Sequence, residues 1–285
     1  MFPKKLLISS ILAAVLSISS VNAATIDLGA TNPAGYQKYG NCAHEDRYSG
    51  AVYTDKFING FFDPVLNYWY ANKKFLYRDN NSWETDLLHS GMYKIGYDNV
   101  DSVDFMVFTG HGYGPGGHGV TYNSNHFYTM NSSSLFHPSG DEGEREDNAN
   151  ADSNEIWWGY EGHNVSPKTK WVSTYSCNFL NDSNPKWATI MQGVHMVTGF
   201  GNVMYMYSDE GTYYSTQLRQ NAKIKDAFFN AARAYQIHSA DPVIARVLAA
   251  DISKDDTIQN YSRKPAPIGG SDEYYYWSLT VQPSN

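Results

Sequence analysis

The chain has 285 residues, 42% hydrophobic and 18% charged, with a formal charge of -8. That is enough apolar material for a sizeable core in one large domain or two small ones, and it excludes a disordered, collagen-like or coiled-coil chain. The acidic balance excludes nucleic acid as the expected partner, and 2 cysteines are too few for a disulfide-rich scaffold or a four-thiolate zinc site.

Lys4 and Lys5 precede an apolar and small-residue run from Leu6 to Val21 that ends Val21-Asn22-Ala23. A charged start, an apolar middle and a small-residue cleavage site describe a signal peptide over residues 1–23. The expected product, residues 24–285, is secreted or periplasmic and sits where disulfides form. No later apolar run approaches the ~20 residues of a bilayer span, so no membrane partner is expected once the signal is removed.

Val52 to Trp69 has Ile58, Phe62, Val65 and Trp69 at helical spacing, with Pro64 placed to kink it. A second helix is expected after Ser82, which supplies a cap residue followed by Glu84. Val103 to Thr109 is a short apolar, β-branched and aromatic run closed by Gly110, the pattern of a buried strand. Asn123 to Asn154 is polar and rich in Gly, Ser and Asn, with acids at Asp141, Glu142, Glu144, Glu146 and Asp147. An inserted loop of about 113–155 is expected there, a length that marks function or mobility. Trp171 to Tyr175 and Val194 to Phe200 read as two more strands, with a helix between them from Pro185 to Gln192. Gln217 to Tyr235 reads as one longer helix with Ile224, Phe228 and Ala232 on one face. Val243 to Ala250 is helix or strand, and Tyr274 to Val281 is a closing strand. Strands alternating with helical patterns give an α/β class with a mostly parallel central sheet, helices on both faces and one domain.

Sites in such sheets form at the carboxyl ends of the strands. Gly110-His111-Gly112 follows the first buried strand, and Ser176-Cys177-Asn178 follows the second. A cysteine beside an imidazole base becomes a thiolate nucleophile. The flanking glycines admit close backbone approach, and the Gly112 amide is placed to meet a developing oxyanion.

An apolar strand then His-Gly, followed by an apolar strand then Cys, resembles the caspase, legumain and gingipain superfamily of cysteine peptidases. The likeness covers Val103 to Gly201. FTGHG, WVSTYSCNFL and GVHMVTGF also resemble a family of secreted bacterial and archaeal proteins with that fold. The resemblance implies a three-layer sandwich and hydrolysis of a protein or peptide substrate. It implies Cys177 as nucleophile, His111 as general base or acid and Gly112 as oxyanion donor, with no cofactor and no metal. Ser176 fits the small residue that the superfamily places before its cysteine. The acidic or glycine neighbours that usually follow the cysteine are absent, and the stretch from Tyr113 to Ser176 is long.

The same residues have rival uses. Cys42, in Asn41-Cys42-Ala43-His44, follows a first strand and stands near the same edge. A Cys42–Cys177 disulfide would give an inactive peptide- or carbohydrate-binding protein of the same fold, a role to which a Tyr-rich surface is suited. Cys42, His44, His111 and Cys177 have the residue types of a zinc site at spacings that match no standard pattern. A papain-like order of Gln37, Cys42 and His195 lacks the aromatic-rich signature after its cysteine. Gly112 to Gly117 satisfies G-x-G-x-x-G, but the polar stretch after it does not read as the helix that a dinucleotide fold requires. His118, His126, His137 and His163 read as part of a solvated loop, and Trp157, Trp158 and Trp171 as packing residues.

Overall fold

A computed structural model describes residues 26–32, 71–78, 99–110, 157–161, 166–181 and 190–284, with Asn59, Gly60, Asp63 and Leu87. It gives the backbone alone at 112–113, 126–128 and 150–152. In chain order the strands are β1 (Ile26–Asn32), β2 (Ala71–Arg78), β3 (Phe105–Thr109), β4 (Gly112–Tyr113), β5 (His126–Tyr128), β6 (Asn150–Asp152), β7 (Trp171–Tyr175), β8 (Met196–Phe200), β9 (Val243–Ala250) and β10 (Tyr274–Val281). Two helices, α1 (Glu210–Arg219) and α2 (Ile224–Tyr235), lie between β8 and β9.

The main sheet has 7 strands in the order β10-β9-β8-β7-β3-β1-β2. Its neighbours are parallel from β2 through β8, and β9 runs antiparallel to both β8 and β10. The class is therefore α/β with a mostly parallel sheet, as the alternation of patterns predicts. β3, β7 and β8 are buried at every position because both faces of the sheet are covered, so apolar residues are favoured at successive positions rather than alternate ones.

Pleating divides the core in two. Phe105, Val107, Trp171, Tyr175, Met196 and Phe200 face a cluster that includes Tyr214, Leu218, Ala227, Phe228 and Ala231 of α1 and α2. Met106, Phe108, Val172 and Val197 point the other way, toward Trp158, Phe179, Leu180 and Met191. Burying each large side chain contributes about 1.5–3 kcal/mol. The described helices α1 and α2 both lie on the first face.

Several expectations need correction. The single helix expected from Gln217 to Tyr235 is two helices. Asn221 takes a left-handed φ of 61°, the Asn221 N–H donates to Leu218 O at 2.9 Å, and the Ala222 N–H reaches back to Gln217 O at 3.0 Å. This is the paired closure by which a left-handed residue ends a helix, and it ends α1 before α2 begins. α1 also starts earlier than the pattern suggested, at Glu210. The span expected as an inserted loop carries a small antiparallel sheet, β4-β5-β6. Val243–Ala250 is a strand whose odd positions face the helix side. β1 and β2 have no counterpart in the sequence reading beyond a first strand before Cys42. Most of the helices expected at 52–69, after Ser82 and at 185–192 lies outside the described residues; Asn59, Gly60, Asp63 and Ile190 are helical, Met191 forms a bridge and Leu87 sits in a turn.

Candidate functional site

β1 has β2 on one side and β3 on the other, so strand order reverses there, and the carboxyl rim beside that reversal is where open α/β sheets hold ligands. β3 and β7 end side by side on this rim. Their register sets Thr109 opposite Tyr175, and the Gly110 N–H donates to Tyr175 O at 3.3 Å. The chain then leaves β7 through Ser176, Cys177 and Asn178. His111, the residue after Gly110, lies outside the described residues, as do Cys42 and His44. Gly112 is described as backbone, the first residue of β4.

Cys177 is a free, partly buried thiol on the same side of the sheet as Tyr175. Its Sγ accepts the Met204 N–H at 3.5 Å and directs its S–H toward Met204 O at 3.7 Å. Asn178 follows in the left-handed region with φ 58°, a conformation that Asn tolerates better than most residues. Its N–H donates to Asn202 O at 3.0 Å, and the Leu180 N–H donates to Phe200 O at 3.0 Å. These bonds fix the turn that presents the sulfur. Ser176 is fully buried, and neither its Oγ nor Thr109 Oγ1 has a hydrogen-bond partner among the described residues.

Beneath this rim lies a carboxyl that the sequence did not single out. Glu210, first residue of α1, is fully buried. Its Oε2 accepts from Gln236 Nε2 at 2.8 Å. Burial pushes its pKa well above the ordinary carboxylate range, with Gln236 pulling the other way. Burial likewise raises the Tyr175 phenol, and the Glu210 carboxylate adds to that. Gln236 also closes two bonds on Tyr205, one to each side of that residue's backbone: the Tyr205 N–H donates to Oε1 at 3.1 Å, and Nε2 donates to Tyr205 O at 2.7 Å. No motif marks Met204, Glu210 or Gln236 in the sequence. Their signal is tertiary.

His195 belongs elsewhere. It stands just before β8, at the amino rim, with its ring buried and its Nδ1 2.7 Å from Asp256 Oδ2. Trp171 Nε1 donates to the same oxygen at 3.1 Å. The Ser262 N–H donates to Asp256 Oδ1 at 2.8 Å, and Ser262 Oγ lies 3.3 Å from His195 Nδ1. Serine and aspartate thus meet one ring nitrogen, whereas a catalytic triad needs them on different nitrogens. His195 is a packed, paired histidine at the opposite edge from Cys177. Trp158 and Trp171 are core residues, as expected. Of the four residues in the zinc alternative, only Cys177 is described.

The sequence profile of a domain of unknown function, DUF6345, matches residues 39–279. The chain belongs to the DUF6345 family. The match spans Cys42, His111 and Cys177 and begins after β1, so this strand lies outside the part the DUF6345 profile covers. No curated protein matches the chain.

Proposed function

We propose that this DUF6345 protein is a secreted cysteine peptidase with a caspase-like three-layer fold, made with a signal peptide over residues 1–23 and acting through Cys177 and His111. The observation that carries the reading is the register of β3 against β7. Thr109 stands opposite Tyr175, and Phe105, Val107, Tyr175 and Cys177 all belong to one face. In the sequence, His111 and Cys177 each stand two residues beyond that pair. The free thiol and the Met204 N–H at its sulfur support the same reading.

In the proposed reaction the Cys177 thiolate adds to the scissile carbonyl carbon, and the Gly112 amide meets the oxyanion. His111 carries the thiol proton to the departing amine, which leaves a thioester on sulfur. Water then cleaves the thioester, the carboxylic acid departs and the proton returns to the thiolate. The chemistry uses no cofactor.

Labelling with a thiol-reactive, peptide-like probe tests this. The wild type takes up one probe, on the peptide that contains Cys177. Cys177→Ala takes up none there, and His111→Ala reacts slowly at neutral pH. Equal labelling of the wild type and Cys177→Ala would sink the assignment.

A further inference from the structure

We infer that Gln236 is a positioning residue for the Cys177 thiol, holding the chain after β8 so that the Met204 main chain rests against the sulfur. Residues 201–209 connect β8 to α1 without regular structure, yet they supply both contacts of Sγ. A segment of that kind keeps a main-chain group in register only if something ties it down. Two side chains do so. Asn202 fastens its start, donating from Nδ2 to Pro242 O at 2.7 Å and accepting the Ile244 N–H at 2.7 Å. Gln236 fastens the next stretch, closing on both the N–H and the O of Tyr205, immediately after Met204.

The Gln236 amide can take only one orientation. Its Nε2 faces two acceptors, Tyr205 O and Glu210 Oε2, and its Oε1 faces a donor. Rotating the amide by half a turn would set an oxygen against two oxygens. Glu210 therefore orients Gln236, Gln236 holds Tyr205, and the peptide unit between Tyr205 and Met204 carries the restraint to the sulfur. The residue is fully buried, so water does not compete for these bonds. Among the described residues, the titratable groups around the network are Glu210 and Tyr214 on α1, Asp209 just before it, Tyr175 at the end of β7, Tyr205 and Tyr207 in the segment, Tyr235 on α2, His238 and Asp241.

The inference rests on Cys177 being the reacting sulfur, but its readout is thiol chemistry and requires no peptide substrate. The experiment follows exchange of an aromatic disulfide reagent with the full protein across pH, reading the Cys177-containing peptide by mass spectrometry. Gln236→Met keeps the length and removes every amide bond. Its Met204 and Tyr205 amides exchange hydrogen faster than in the wild type, and the rate at Cys177 at neutral pH falls several-fold, because the sulfur and the main chain beside it are no longer held in place. Glu210→Gln retains an oxygen for Gln236 and has a smaller effect than Gln236→Met.

A folded Gln236→Met protein with unchanged amide exchange and an unchanged rate at Cys177 would overturn the inference. So would a change in Glu210→Gln as large as that in Gln236→Met, which would assign the effect to the carboxyl instead. If Gln236→Met does not fold, hydrogen exchange on the wild type decides: Met204 and Tyr205 amides exchange far more slowly than Val203, which is 49% exposed, and equal rates overturn the clamp. Failure of the peptide probe with an intact thiol profile would reject the peptidase reading alone.

Discussion

At the amino rim of the main sheet, two aspartates bind several chain segments together. Asp104 Oδ2 accepts the Asp27 N–H at 2.7 Å, its other oxygen meets Lys170 Nζ, and its O accepts the Lys170 and Trp171 N–H groups at 2.9 and 3.1 Å. Asp256 gathers His195, Trp171 and Ser262 around one buried carboxylate. The carboxyl rim is built differently. Among the described residues, Thr109 Oγ1 and Ser176 Oγ are buried without partners, Asn178 is left-handed, and the sulfur meets weak main-chain contacts from Met204. Carboxylates that tie several segments together resist change, while a turn with a left-handed residue and a lightly held sulfur is suited to hold a reacting group.

That contrast is testable, and the largest effect is expected at the amino rim. Asp256→Ala leaves His195 and the Trp171 N–H buried without their acceptor and costs about 3–5 kcal/mol in a urea denaturation midpoint. Asp256→Asn keeps an oxygen and costs less. A loss under about 1 kcal/mol would erase the distinction between the rims.

The next effect is pH-dependent. Burial raises the Glu210 pKa in the folded state, so between the unfolded and folded values the native protein binds more protons than the unfolded one. Stability from this group is thus fully present below the ordinary carboxylate range and is lost as pH rises through the folded pKa. Melting temperatures of the wild type and Glu210→Gln should therefore agree at low pH, with the variant increasingly the more stable as pH rises. Parallel curves would show that the carboxyl does not titrate in that window.

The smallest effects belong to the carboxyl rim. Asn178→Ala forces a less tolerant residue into the left-handed region and costs about 1 kcal/mol, whereas Asn178→Gly is close to neutral. Cys177→Ala changes stability by about 0.5 kcal/mol while removing all labelling at that position. A large stability loss in Cys177→Ala would make the thiol a packing residue.

What could be read in advance follows from how each element is buried. β3, β7 and β10 were legible because VDFMVFT, WVSTY and YYYWSLTV are compact β-branched and aromatic runs. β1 is fully paired inside the sheet, yet its IDLGATN mixes Gly, Asp, Thr and Asn and carries no such signal. β2 is an edge strand with exposed Asn72, Lys73 and Lys74, the usual protection of an unpaired edge, and its polarity hid it. The break between α1 and α2 turns on one left-handed Asn221. Cys177 could be found because strand ends are visible in sequence. Met204, Glu210 and Gln236 could not, since their positions depend on how a pair of helices folds back over the sheet.

The reversal of β9 carries a mechanical consequence. The chain that departs the rim after Phe200 comes home at Val243, with the Gly201 N–H on Ile244 O at 2.8 Å, so α1 and α2 form a closed handle whose two feet stand together. Asn202 pins both feet and the turn behind the sulfur at once. A tug on either helix is delivered to that single point, and a fluorophore on the outer surface of α2 would report on the neighbourhood of Cys177 from a distance.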